Sequence, residues 1–289
     1  MLLDHEPLIR LGAFFGVFAA VATWEVLAPR RTLIAARRAR WPGNIGVVLL
    51  NTLIARAIFP AGAVGIALAG ETAEIGLLNT VPLPFWFKAV LAFLLLDLAI
   101  YLQHVLFHAV PALWRLHRMH HADLGFDVTT GARFHPIEIV LSMLIKSIAI
   151  LGLGAPAMAV LAFEIALSAT ALFNHANARL PAGLDRALRL VVVTPDMHRV
   201  HHSAVPAETN SNFGFNLPWW DRLFGTYRAD PAAGHAAMTI GLAAFRDPRE
   251  LRLDRMLTQP FRDADGAVAR GGRDTAPKGD SHEISLRPQ

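Results

Sequence analysis

Asp97-Leu-Ala-Ile-Tyr-Leu-Gln-His104-Val-Leu-Phe-His108 and, after a short connection, His117-Arg-Met-His120-His121 form the stretch that decides the fold. The second pattern returns downstream as His198-Arg-Val-His201-His202. The chain has 13 His, of which eight lie in these three boxes, with His135 and His175 between them. An α-helix brings residues i, i+3 and i+4 onto one face. His104 and His108 are an i, i+4 pair, and each of the other boxes offers i, i+3 and i+4. In the second box His120 is expected to share a face with His117, with His121 one step round. A single H-x-x-H-H is compatible with a plain surface helix. Two copies beside an H-x-x-x-H are hard to obtain without a common metal site.

Imidazole suits Fe, Zn, Cu and Ni. Eight to ten imidazoles exceed the coordination capacity of one ion, so two ions are expected. Calcium and magnesium take oxygen ligands and are disfavoured. The chain has no Cys, which excludes disulfides, thiolate metal sites and Cys nucleophiles. It has no H-E-x-x-H, the zincin signature, and no G-x-S-x-G, the nucleophile-elbow signature.

Working outward, the 289 residues are 54% hydrophobic with a mean hydropathy of +0.39. Only 17% are charged, against roughly 25% for a soluble domain. An integral, multi-pass membrane protein is expected. The pI of about 10.1 reflects Arg beside apolar spans and in a polar tail, so membrane topology accounts for it and no nucleic-acid partner is expected. The amino terminus opens with Asp4 and Glu6 and has no small-residue cleavage site, unlike a signal peptide.

Residues 8–28 have the length of a span, with Glu25 the awkward member. Arg30, Arg31, Arg37, Arg38 and Arg40 follow without an acid, which places that loop in the cytoplasm. Residues 44–69 form a second span, interrupted by Arg56 and expected to bend at Pro60. Glu71 and Glu74 mark an outer loop. Residues 85–107 are the clearest span and return the chain to the inner side. Residues 137–153 and 157–173 form an apolar hairpin around Gly154-Ala155-Pro156, so His175 must lie on the side where His108 and His117 lie. Lys146 and Glu164 interrupt the hairpin, and Lys146 is expected to snorkel. The fold expected is all-α, with four or five membrane-embedded helices and a cytoplasmic helical cap. Three parts are expected: 1–84 as N-terminal transmembrane helices, 85–228 as the histidine-box domain, and 229–289 as a polar tail, disordered after about residue 262.

From residue 97 to residue 227 the chain resembles the fatty acid hydroxylase / sterol desaturase superfamily. The order of the three boxes carries the resemblance. So do Leu113-Trp114-Arg115-Leu116-His117, Arg133-Phe134-His135-Pro136, Phe173-Asn174-His175-Ala176-Asn177, Asn212-Phe213-Gly214 and Trp220-Asp221-Arg222-Leu223-Phe224-Gly225-Thr226-Tyr227. The resemblance implies a non-haem di-iron centre that uses O2 and two electrons to hydroxylate or desaturate a lipid taken from the bilayer. It implies His104, His108, His117, His120, His121, His175, His198, His201 and His202 as iron ligands, and His135 as a tenth. No fused cytochrome b5 module is evident, so an external electron donor of cytochrome b5, ferredoxin or rubredoxin type is implied. Oxidation of an unactivated C–H bond needs a metal centre, because side chains alone do not supply that chemistry.

Asp97 lies seven residues before His104 on the same helical face, and Asn174 and Asp196 adjoin ligand positions; each is expected to orient an imidazole. Trp219, Trp220, Phe224 and Tyr227 are expected to mark the membrane interface. Two other readings stand beside the oxidase: a zinc-dependent membrane hydrolase, and a metal transporter or sensor. A transporter would hold its ligands near the bilayer midplane, whereas these boxes fall at one face.

Overall fold

The computed structural model describes residues 3–263, which fold into helices and turns without a strand. The helices are α1 Glu6–Leu27, α2 Arg37–Ile58, α3 Gly62–Thr72, α4 Leu77–Thr80, α5 Phe85–Ala109, α6 Pro111–His121, α7 Pro136–Leu153, α8 Ala157–Asn174 and α9 Ala182–Leu188. Five short ones follow: α10 Pro195–His201, α11 Pro206–Thr209, α12 Trp219–Leu223, α13 Gly234–Ala237 and α14 Leu253–Thr258. Among the described residues, five helical segments are long and apolar enough to cross a membrane: Leu3–Leu27, Arg37–Thr80, Phe85–Ala109, Pro136–Leu153 and Ala157–Asn174. A helix satisfies its own backbone hydrogen bonds, which is what permits it to stand in lipid.

The second segment differs from the single bent span that the sequence suggests. The chain leaves helix after Ile58 and re-enters it at Gly62. Pro60 has no N–H and its ring obstructs the preceding turn, so it breaks the helix rather than bending it. Arg56 accordingly lies in the last turn of α2, where a cation meets the negative end of the helix dipole. Gly154 closes α7 with φ 65°, in the left-handed region that a glycine adopts without strain. Gly76 packs so closely on it that a Cβ there would run into the Gly154 backbone.

α5 packs against α7 and α8, α1 lies on α8, and α2 and α3 lie on α7. The core between them is built from Leu96, Ile100, Ile150, Val160 and Phe163, all buried. Leu8, Phe15, Leu49, Leu53, Trp86 and Ile148 stay exposed on the outer faces, as apolar side chains in contact with lipid would.

The carboxyl ends of α1, α5 and α8 and the amino ends of α2 and α7 meet at one end of this bundle. Buried polar groups tie the cap there. Arg40 donates to both oxygens of Asp123 at 2.6 and 2.7 Å and to Asp127 at 2.6 Å. Glu25, awkward as sequence, accepts from the backbone N–H of Val128 at 2.7 Å and of Asn177 at 2.8 Å. Both ends of the α1–α2 loop are thereby fixed to the segment after the second histidine box.

Residues 229–263 are polar in composition but fold back on this end. Met256 is buried with Val47 and Met119, and a Cβ on Gly43 would run into the Leu251 carbonyl oxygen. Arg118 donates to the carbonyl of Gln259 at 2.7 Å, and Arg115 to that of Pro260 at 2.7 Å. The disorder expected after about residue 262 concerns positions that, beyond 263, lie outside the described residues.

Candidate metal centre

The three boxes are delivered by three helix ends. His108 occupies the last turn of α5. Pro111 then starts α6, at a position where its missing N–H costs no bond, and α6 buries His117 through His121. Thr194 caps α10 by accepting from the Met197 N–H. His175 is the residue that ends α8. The folds of α6 and α10 turn their boxes inward, against each other and against α5.

Nine imidazoles come together in two groups. His104, His108, His117, His121 and His201 form one; His120, His175, His198 and His202 form the other. Within each, one ring nitrogen per residue lies within 4.8 Å of all the others. Each H-x-x-H-H box is split between the groups. The second box sends His117 and His121 to the first group and His120 to the second. The third box does the reverse, sending His198 and His202 to the second group and His201 to the first. The i, i+4 pair of a box therefore serves one group and the i+3 residue the other. The expected pairing of His120 with His117 is corrected by this: His121, one full turn on, shares the group of His117.

Backbone and side-chain acceptors hold the rings by Nδ1. His104 Nδ1 meets the Phe213 carbonyl at 2.7 Å, His201 Nδ1 that of Ser211 at 2.8 Å, His175 Nδ1 that of Ala171 at 2.7 Å, and His120 Nδ1 that of Arg133 at 3.3 Å. His117 Nδ1 meets Glu138 Oε1 at 2.6 Å and His108 Nδ1 meets Asn210 Oδ1 at 3.2 Å. A carbonyl only accepts, so each of these Nδ1 atoms carries the proton and each Nε2 presents a lone pair. Burial, with neighbouring imidazoles adding to it, pushes His120, His121, His198, His201 and His202 well below the usual imidazole range. Burial brings His175 down to about 3. These six imidazoles are thereby held toward the neutral form, the form that binds metal.

The Nε2 atoms face one another. His104 and His117 approach at 3.1 Å, His108 and His121 at 3.1 Å, His120 and His175 at 3.2 Å, and His175 and His198 at 3.1 Å. Where both rings hold their proton on Nδ1, two lone pairs point at each other, and no hydrogen bond relieves them. Nitrogens about 2.0–2.1 Å from a first-row ion stand roughly 2.9–3.4 Å apart for square to tetrahedral angles. The observed spacings fall in that range. Nε2 of His201 and of His202 is buried without a hydrogen-bond partner. The donor set, its protonation and its spacing all fit metal ions, one per group.

A fatty acid hydroxylase family model matches residues 89–226. Over these residues the chain is similar to the fatty acid hydroxylase family. The chain is 35% identical over 148 residues to the ornithine lipid hydroxylase OlsE of Rhizobium tropici, across 51% of this chain and 44% of that one. It is 29% identical over 146 residues to alkylglycerol monooxygenase of Homo sapiens, across 50% of this chain and 31% of that one. The Danio rerio alkylglycerol monooxygenase is 30% identical over 138 residues, across 47% and 30%. Each match spans less than half of the relative's own length. No solved structure matches the chain significantly.

Within the matched region, several residues depart from their expected places. His135 lies outside both groups. Its Nδ1 accepts from the Ile137 N–H as it caps α7, and its Nε2 meets the Leu257 carbonyl at 3.2 Å. Asp97 orients no imidazole. It accepts from Trp220 Nε1 at 2.9 Å and from the Leu217 N–H at 3.3 Å, which fixes the segment that carries Phe213 and Phe215 against the rings. Trp220 is thereby anchored inside rather than left free at an interface. Asn174 donates to the Phe215 carbonyl at 3.1 Å. Asp196 pairs with Arg199 and with Arg30, tying α10 to the α1–α2 loop. The carboxylate that does reach a ring is Glu138, in the first turn of α7. An acid at the start of an apolar span reads as an interface residue, and only its place three residues after His135 hinted otherwise.

Proposed function

We propose that this chain is an O2-dependent di-iron oxidase that hydroxylates a membrane lipid. The observation that carries the reading is the pair of adjoining imidazole groups with Nε2 lone pairs opposed at 3.1–3.2 Å, buried at one end of a membrane bundle. His104, His108, His117, His121 and His201 would hold one ion, and His120, His175, His198 and His202 the other. Two iron ions would supply the activation of O2 and of an unactivated C–H bond, which side chains lack. The net change is RH + O2 + 2 electrons + 2 H+ giving ROH + H2O.

The chain's own residues prepare that chemistry. Glu138 holds the proton on His117 Nδ1 and strengthens Nε2 as a donor, and the carbonyls of Phe213, Ser211 and Ala171 do the same for His104, His201 and His175. Imidazoles bind metal as neutral donors, so nine of them would leave the positive charge of two ions undiminished. Phe134 stacks on His120 at 4.5 Å between centroids, and Phe213 and Phe215 cover His104, so water is kept from the far side. A cavity reaches His104 and His117 from between α5, α7 and α8, giving a lipid chain a path to the centre. The ornithine lipid and alkylglycerol named in the relatives support an amphiphilic lipid as substrate.

The Arg30–Arg40 loop is attached to the same end of the bundle, which supports placing the imidazoles on the cytoplasmic face, within reach of a soluble one-electron donor of cytochrome b5, ferredoxin or rubredoxin type. All nine rings gather at this end, which opposes the transporter reading. The test is anaerobic purification with metal analysis, followed by O2 uptake and mass analysis of the lipids after addition of reductant. Iron, O2 uptake and a lipid heavier by one oxygen atom are expected. Zinc with no O2 uptake would instead support a hydrolase.

A further inference from the structure

The cavity beside the imidazoles, about 240 Å³, does not end in an apolar wall. His104, His117 and Glu138 line one end, and Lys146, Glu164 and Arg10 line the other. Glu138, Ser142 and Lys146 line it from successive turns of α7, at the i, i+4 spacing that shares a helix face. Glu138 and Lys146 are about 12 Å apart along the helix at roughly 1.5 Å per residue. Glu138 touches His117 and Lys146 lies near the middle of α7, so the charged end is inside the membrane span.

Lys146 donates to Glu164 Oε1 at 2.5 Å, and Arg10 to Glu164 Oε2 at 3.0 Å and to Glu6 at 2.7 Å. Lys146 is 8% exposed, so it is not snorkelling to the surface as its sequence position suggested. Two cations meet two carboxylates there, Glu164 on the cavity wall and Glu6 behind Arg10. An ammonium has three donor hydrogens, and Glu164 engages one of those on Lys146. The cluster thus presents surplus donor hydrogens to the cavity, with its charges balanced once Glu6 is counted. Apolar residues would serve packing here at least as well, because buried ion pairs are seldom net stabilising. Ionisable groups inside a span mark substrate or ion sites.

We infer that Lys146, with Arg10 and Glu164, binds an acceptor-rich polar end of the substrate, a carboxylate or an ester carbonyl, while the chain runs back to the imidazoles. The substrate is then a lipid whose oxygen group sits about two turns of α7 from the imidazoles. This rests on the imidazole centre being the place of oxidation. Lys146 is a specificity residue and takes no part in the oxidation.

Binding without turnover separates the two claims. Full-length protein in nanodiscs, kept anaerobic, is equilibrated with tritiated palmitic acid, methyl palmitate or hexadecane, and bound ligand is counted against empty nanodiscs. Lys146→Met should weaken binding of palmitic acid at least tenfold and of hexadecane less than twofold, and Lys146→Arg should restore most of it. The double variant Lys146→Met/Glu164→Met leaves no lone charge between those two positions and keeps the test valid if Lys146→Met alone misfolds. Loss for palmitic acid alone identifies a carboxylate; equal loss for methyl palmitate identifies the carbonyl. Equal loss for all three ligands, or loss for none, overturns the inference even if the protein oxidises lipid. Selective loss in a protein that takes up no O2 would leave the pocket standing and sink the proposed oxidation.

Discussion

His104 Nε2 and His117 Nε2 stand 3.1 Å apart, while Nδ1 of the first is held by the Phe213 carbonyl and Nδ1 of the second by Glu138. Two protonated Nδ1 atoms leave two lone pairs opposed, an arrangement that a cation relieves. The fold brings these rings from different helices, α5 and α6, and supports each from a third place. The centre is therefore a property of the cap as a whole and not of one box.

Glu138→Gln should weaken metal binding by the five-ring group by about 10–100-fold, the usual cost of losing a ligand's supporting partner, and spare the four-ring group. Titration of metal-depleted protein with Fe2+ under anaerobic conditions should show one site weakened and one unchanged. Equal weakening of both would mean that Glu138 supports the fold and not His117.

His135→Ala should leave both sites filled, because His135 bonds to Ile137 and Leu257 and belongs to neither group. His120→Ala should empty or weaken the four-ring site and abolish oxidation. Metal content and lipid product, measured on the two variants side by side, check this. Loss of a metal on His135→Ala would return that residue to the ligand set.

These two predictions show what was legible in the sequence. The boxes were readable because i, i+3 and i+4 share a helix face and because all three fall beside apolar spans. How each box divides was not readable, since the division depends on which rings from other helices approach it. Arg40 sat in an Arg-rich loop and read as a topology signal. Its burial against Asp123 and Asp127 depends on residues more than 80 positions away. Asp97 was expected to orient an imidazole, but its partner is the Trp220 indole, from a segment that the helical periodicity of α5 does not reach.

Arg40→Ala should destabilise the cap by about 3–5 kcal/mol, the usual penalty for leaving a buried charge alone. Asp123 gives this a pH signature. Burial pushes its carboxyl up, and the Arg40 guanidinium overcomes that and holds it well below the usual carboxylate range. A depressed folded pKa stabilises above the unfolded value of about 3.9 and loses that stabilisation as pH falls through the folded value. Wild-type protein should therefore lose this contribution only below about pH 4, and Arg40→Ala should lack it at neutral pH. Thermal unfolding in detergent from pH 7 down to pH 3 checks this; parallel curves for the two proteins would contradict it.

Gly43→Val should displace residues 248–261 from α2, because a side chain at 43 meets the Leu251 carbonyl and Met256. Limited proteolysis should then cut this segment, which wild-type protein protects, and Tm should fall. Unchanged protection would mean that the segment is not held by that contact.

The central claim is that nine histidines form two neighbouring metal sites, five rings to one and four to the other. Metal content per chain, determined on anaerobically purified full-length protein reconstituted with Fe2+ and freed of loose metal, tests it most directly. Two iron ions per chain are predicted, falling to one in His198→Ala. One ion per chain in fully occupied wild-type protein would contradict the claim.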